Sequence, residues 1–325
     1  MELTPPPPSV VPTATVTTRP VAAGPVAAGP VAAGPVAAGP VAAGPVAAGP
    51  VAAAGARPRL VATDLDGTLL GPDRAVSPYT ARTLARLTAS DVPVVLVTGR
   101  PIRWLKVVYD QLDAPLPAIC ANGAVVYDPV ADEVLRADPL APELLAEVAR
   151  RLRAAVPGVS LAVEVVDSRE MRHEAHFPLR WEADPALIRA VTTPEDLLGV
   201  PAVKLLVRAG EQDPDLFTEV VAEVVAGLAE ATHSSRSGLV ELSASGVTKA
   251  AGLAWYCARL GIAAPEVLAF GDMPNDVPML TWAGRAVAVG NAHPAVRAIA
   301  DEVTSAHTED GVAAYLDRLY GLDRP

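Results

Sequence analysis

The sequence predicts an α/β fold: a doubly wound parallel sheet, an α+β segment inserted into it, and a disordered tail in front. Three observations carry that prediction. Short apolar runs alternate with helical stretches at both ends of residues 56–325. Residues 124–242, between them, change texture and carry their own hairpin, strand and helix patterns. Residues 1–55 are dominated by Pro, Ala, Gly and Val. Strands that alternate with helices pair in parallel, and such sheets hold ligands at the carboxyl ends of their strands.

The tail comes first. Pro5 to Pro8 stand in a row, and Val-Ala-Ala-Gly-Pro then repeats six times over 21–50. A proline every five residues removes a backbone donor and blocks helix at each repeat. Ala and Val alone bury too little to offset ordering entropy, so a disordered, semi-extended chain is expected. The stretch between Arg19 and Arg57 has no charge and is apolar enough to mimic a membrane span. Its prolines argue against one, because lipid-exposed backbone groups would go unsatisfied. Acidic Glu2 and the lack of an unbroken apolar run argue against a secretory signal. A cytoplasmic protein without membrane association is expected.

The core, 56–123 and 243–325, begins with a short apolar run at 60–62 that ends at Asp64. Ser77 and Pro78 open a helix to about residue 90, with Ser77 as its cap and proline in the first turn. The continuous apolar run 92–97 reads as a strand buried on both faces. A helix over 102–112 and a strand over 117–121 follow, the strand ending at Asn122-Gly123. Near the end, Thr248 caps a helix that Gly261 stops, and 267–270, 286–289 and 302–304 read as strands.

The inserted segment, 124–242, reads as a separate α+β cap. A hairpin over 125–127 and 134–135 turns at Asp128-Pro129. Helices are expected over 142–155 and 214–231, and strands over 159–166 and 203–207.

Composition narrows the function. Aromatics are only 4% against 51% apolar residues, so the core must be built mainly of Ala, Val and Leu. Glu2 and Arg19 cancel, so the whole net charge of −11 lies in 56–325. Such a chain lacks the basic face that general nucleic-acid binding needs. It can still hold an anionic metabolite if a metal and a few local cations outvote the field. Cys120 and Cys257 each sit in an apolar stretch without metal spacing, as reduced buried thiols do. No obligate protein partner is indicated.

The polar clusters stand where a parallel sheet would use them, after residues 62, 97, 121 and 270. Asp64-Leu65-Asp66-Gly67-Thr68-Leu69 follows the first strand directly. Two carboxylates two residues apart at such a transition can face one site. One can attack phosphorus; the other can protonate a leaving oxygen and later deprotonate water. Gly67 permits the tight turn.

DLDGTLL resembles the first signature of the haloacid dehalogenase superfamily. Thr98-Gly99-Arg100, Lys249 and Gly271-Asp272-Met273-Pro274-Asn275-Asp276 are similar, in order and spacing, to its second, third and fourth. ANGA at 121–124, GVTKA at 246–250 and AVAVGNAHPAV at 286–296 resemble its Cof-type branch, which has a Rossmann-like core and a large inserted cap. The likeness covers about 59–320.

The resemblance implies a phosphatase acting on a small phosphorylated metabolite with Mg2+. Asp64 would be nucleophile and metal ligand. Asp66 would be the general acid/base and a ligand through its backbone carbonyl, and Asp272 a second carboxylate ligand. Thr98, the Gly99 amide, Lys249 and Asn275 would hold phosphate, with Asp276, Arg100 and Asn122 in support. Asp66, where the superfamily's ion pumps have Thr, implies rapid turnover of an aspartyl phosphate. In the cap, the polar run 169–181 offers Arg172, His173 and Arg180 as substrate contacts. A phosphomutase of the phosphomannomutase kind, or a non-catalytic binding module using the repeat tail, are the competing readings. Fold and motif do not choose the substrate.

Overall fold

A computed structural model describes residues 57–166, 169–179, 185–210, 213–233 and 238–322. The repeat tail and Arg180 lie outside these residues. The strands, in chain order, begin with β1 (Leu60–Thr63), β2 (Val94–Val97), β3 (Ala118–Cys120), β4 (Val125–Asp128) and β5 (Glu133–Ala137). Then come β6 (Ser160–Val165), β7 (Met171–Glu174), β8 (Ile188–Val191), β9 (Ala202–Arg208), β10 (Ala229–Thr232) and β11 (Val240–Ala244). Last are β12 (Val267–Gly271), β13 (Arg285–Ala288) and β14 (Glu302–Val303). The helices are α1 (Pro78–Ala89), α2 (Lys106–Tyr109), α3 (Pro142–Ala155), α4 (Pro194–Leu198), α5 (Pro214–Val224), α6 (Lys249–Leu260), α7 (Val277–Trp282), α8 (Pro294–Arg297) and α9 (Gly311–Tyr320).

Two sheets result. The larger has the order β14-β13-β12-β1-β2-β3-β4-β5, parallel from β14 to β3 and antiparallel at β4 and β5. Its middle strands β12, β1, β2 and β3 are buried along their whole length, so their sequences are unbroken apolar runs and not alternating ones. Helix α1 starts where Ser77 accepts a hydrogen bond from the Thr80 N–H, as its sequence predicts. It packs on α9, and α6 packs on α7.

The second sheet has the order β10-β11-β9-β6-β7-β8 and is antiparallel except for β7 with β8. Here the residues alternate. Leu161 and Val163 of β6, Leu205 and Val207 of β9, and Val240 and Leu242 of β11 join one apolar cluster with α3, α4 and α5. The residues between them, Glu164, Lys204, Leu206, Arg208 and Glu241, face a cavity against the larger sheet.

Several elements differ from expectation. The hairpin β4–β5 extends the larger sheet and is no part of the second one. Its strand β4 pairs back on β3 through the buried apolar residues Val125 and Val126. Residues 102–112 form a 3-10 turn (Ile102–Trp104) and the short α2 instead of one helix. The helix predicted over 214–231 stops at Val224, because Gly227 takes a left-handed φ of +75° and reverses the chain into β10. Residues 171–174, within the polar run and not expected as a strand, form β7; Met-Arg-His-Glu carries no strand signal of its own.

Candidate active site

The site stands at the carboxyl ends of four neighbouring strands. Asp64 follows β1, Thr98 and Gly99 follow β2, Asn122 follows β3, and Asp272 follows β12. Gly67 turns the first loop at φ +82°, and a Cβ there would lie 2.5 Å from Asp272 Oδ2. Glycine is therefore needed for both conformation and space, and it lets the first and fourth loops touch. Thr68 Oγ1 donates to Asp272 Oδ1 at 2.8 Å across the same contact.

Lys249 joins the two sides. Thr248 caps α6 by accepting from the Ala251 N–H, which sets Lys249 in the first turn. Its Nζ donates to Asp64 Oδ1 and to Asp276 Oδ1, each at 2.6 Å, and the residue is 1% exposed. The other oxygen of Asp276 accepts from the Asp272 and Met273 N–H groups, both at 2.9 Å, and so fixes the fourth loop. Asn275 Nδ2 donates to Asn122 Oδ1 at 3.1 Å.

The electrostatics of this cluster ask for a cation. Oxygens of Asp64, Asp272 and Asp276 lie within 4.8 Å of one another, all in buried residues. Three carboxylates against one ammonium leave two negative charges out of water, which is costly unless compensated. Burial first, then the neighbouring Asp276 and Asp272, hold the Asp64 carboxyl well above the ordinary carboxylate range, against the pull of Lys249. Burial and Asp276 push Asp272 up to about 6. Burial works to lower the Lys249 ammonium, but Asp276 and Asp64 outweigh it and keep its pKa raised. An oxygen-rich, doubly negative pocket is what a small divalent ion fits.

Asp66 lies apart from this knot. Its carboxylate, part-exposed, accepts from Arg100 Nε at 2.7 Å and Nη2 at 2.6 Å in a bidentate pair. Asp276, and not the Asp66 side chain, is thus the third carboxylate beside Asp64 and Asp272.

A cavity of about 390 Å³ opens over these groups, lined on one side by Asp64, Asp66, Thr98, Gly99 and Asn275. A family model for haloacid dehalogenase-like hydrolases matches residues 61–316. The chain belongs to that family. The 5-amino-6-(5-phospho-D-ribitylamino)uracil phosphatase of Bacillus subtilis is 30% identical over 268 residues, 82% of this chain and 99% of the relative. The pyridoxal phosphate phosphatase of Escherichia coli is 30% identical over 267 residues, 79% of this chain and 97% of the relative. Among solved structures, a haloacid dehalogenase-like hydrolase from Bacteroides thetaiotaomicron is similar with a TM-score of 0.67 at 25% identity, covering 81% of this chain and all (100%) of that one. A Streptococcus mutans protein shares the fold at a TM-score of 0.70 and 20% identity, covering 81% of this chain and 99% of that one.

The second sheet of this haloacid dehalogenase-like hydrolase supplies the other side of the cavity, with residues the sequence reading missed. Lys204 on β9 donates to the Gly99 carbonyl and to Glu241 Oε2, both at 2.7 Å. Glu241 on β11 also accepts from Asn122 Nδ2 at 2.6 Å. Arg103 pairs with Glu164 on β6, both buried. Lone charges inside the apolar strands AVKLLVR, VELSA and SLAVEV were the available signal. Of the expected cap contacts, Arg172 is drawn to Glu170 Oε1 at 2.8 Å and to the Asp196 carbonyl at 3.1 Å. It pairs with Val163 and shares that residue's helix-side face, so it does not line the cavity. His173 is buried, its Nδ1 2.8 Å from the Glu174 carbonyl, and does not line the cavity either. No helix among the described residues is long and apolar enough to cross a membrane.

Proposed function

We propose that this hydrolase is a magnesium-dependent phosphatase for a small phosphorylated metabolite and that it works through a phosphoryl group carried on Asp64. One observation supports the reading above others: Asp64 lies at the cavity floor, 2.6 Å from a buried ammonium, with Asp272 and the Thr98-Gly99 turn around it. Asp64 and Asp272, with the backbone carbonyl of Asp66, would hold magnesium. Both oxygens of Asp276 are already engaged by Lys249 and two N–H groups, which makes it the better support than ligand. The chemistry that a bound magnesium ion supplies is neutralisation, so that an anionic carboxylate can approach an anionic phosphate.

The chain's own residues do the rest. An Asp64 oxygen attacks phosphorus in line as the ester P–O bond breaks, and Asp66 gives the leaving oxygen its proton. Asp66 then takes a proton from water, which attacks the same phosphorus, releases phosphate and restores Asp64. Thr98, the Gly99 N–H and Lys249 bear on the non-bridging oxygens. Arg100 fixes where the Asp66 carboxylate points, and the substrate phosphate competes for the same guanidinium. The strands of the second sheet act as a cap that closes water out. The relatives named above are phosphatases for phosphorylated metabolites, which supports this class.

Phosphate release from a panel of phosphorylated metabolites, with magnesium or chelator, tests the reading. Magnesium-dependent release should vanish in Asp64→Asn. Release that survives this substitution would remove Asp64 as nucleophile, and phosphate retained on a sugar acceptor would mark a mutase.

A further inference from the structure

The cavity-facing side of the second sheet is divided. Its charged residues stand together: Lys204 pairs with Glu241, Glu164 pairs with Arg103 of the core, and Arg208 lines the cavity beside them. Beside them lies a separate apolar patch. Met171, Phe177 and Leu206 are 4%, 7% and 7% exposed and pack together with Ala162, and half-buried Leu239 packs against them. All but Ala162 line the cavity, and the core adds Trp104.

We propose that this wall reads the part of the substrate beyond the phosphate and selects an ester whose alcohol carries a flat, unsaturated ring. The inference rests on the phosphatase reading above. A sugar or polyol set against Met171, Leu206 and Leu239 loses hydrogen bonds to water and gains none, and unpaired hydroxyls are costly in such a place. A ring loses nothing of the kind. The wall favours π faces over aliphatic chains: a thioether and two aromatic side chains, Phe177 and Trp104, surround the space, and both kinds of group pack well on unsaturated rings. A volume of about 390 Å³ suits a phosphate with one such group.

The test compares kcat/KM for pyridoxal 5′-phosphate and flavin mononucleotide with that for glucose 6-phosphate and glycerol 3-phosphate. Wild type, Leu206→Ser and Leu239→Ser are measured, with thermal unfolding as a check on folding. Leu239 is half-buried, so its variant keeps the test open if Leu206→Ser fails to fold. Ring esters should lead by about tenfold or more, and both variants should erase most of that lead through KM. Equal or better turnover of the sugar and polyol esters, or a lead that survives both variants, overturns the ring wall while leaving the phosphatase standing. Release from none of the four sinks the phosphatase reading and this one with it.

Discussion

Lys249 sits between Asp64 and Asp276 where water scarcely reaches, 1% exposed. Removing one partner of a buried ion pair strands the other charge, at roughly 3–5 kcal/mol. Lys249→Met should therefore lower the urea midpoint of the metal-free protein, measured in chelator; an unchanged midpoint would contradict the pairing. The two cysteines behave alike. Burial pushes both thiols from the ordinary 9.0 up to about 12. Neither should react with iodoacetamide at pH 8 until the chain unfolds, and mass spectrometry of the native protein will show it. Protonated thiols in the fold and ionised ones in the unfolded chain give a stability contribution that is complete below about pH 9 and declines as pH climbs towards 12. At this scale the sequence was informative where chemistry is local. Asp64, Asp66, Thr98, Gly99 and Asp272 sit directly at strand ends, and a strand end is visible in the chain itself. Lys204 was not, because its partner Gly99 is 105 residues away.

At the level of elements, a chain of hydrogen bonds joins the two sheets: Gly99 carbonyl, Lys204, Glu241, Asn122, Asn275. It ties the turn after β2 to β9 and β11. Lys204→Met and Glu241→Gln should each raise KM, and the double variant should cost less than the sum of the two. A double-mutant cycle measures this, and strict additivity would deny the coupling. A second joint is tighter still. Gly123 follows β3 at φ +106°, and a Cβ there would lie 2.0 Å from the Thr248 carbonyl, at the start of the helix that carries Lys249. The parallel strands were legible because full burial writes itself as an unbroken apolar run. The hairpin was legible as a hairpin and not in its allegiance: β4 and β5 look the same in sequence whichever sheet they join. β7 was hidden because its pairing with β6 and β8, and not its own four residues, makes it a strand.

For the whole molecule, the order of the larger sheet has a bearing on synthesis. β1, which leads into Asp64, lies between β2 and β12. Its register with β12 pairs Leu60 with Val267, across about two hundred residues of chain. The six strands from β6 to β11, by contrast, are contiguous between Ser160 and Ala244. Closing a long loop is entropically slow, and a ribosome delivers the chain from its N-terminus. On the ribosome, then, the inserted sheet can fold while β1 still waits for its neighbour. Pulse-labelled hydrogen exchange during refolding should find β9 and β6 amides protected before those of β1 and β12; simultaneous protection would show one cooperative step. Asp64 is made before the whole of the inserted sheet and is among the last residues to be enclosed, so no nascent product that ends before β12 carries the assembled carboxylate cluster.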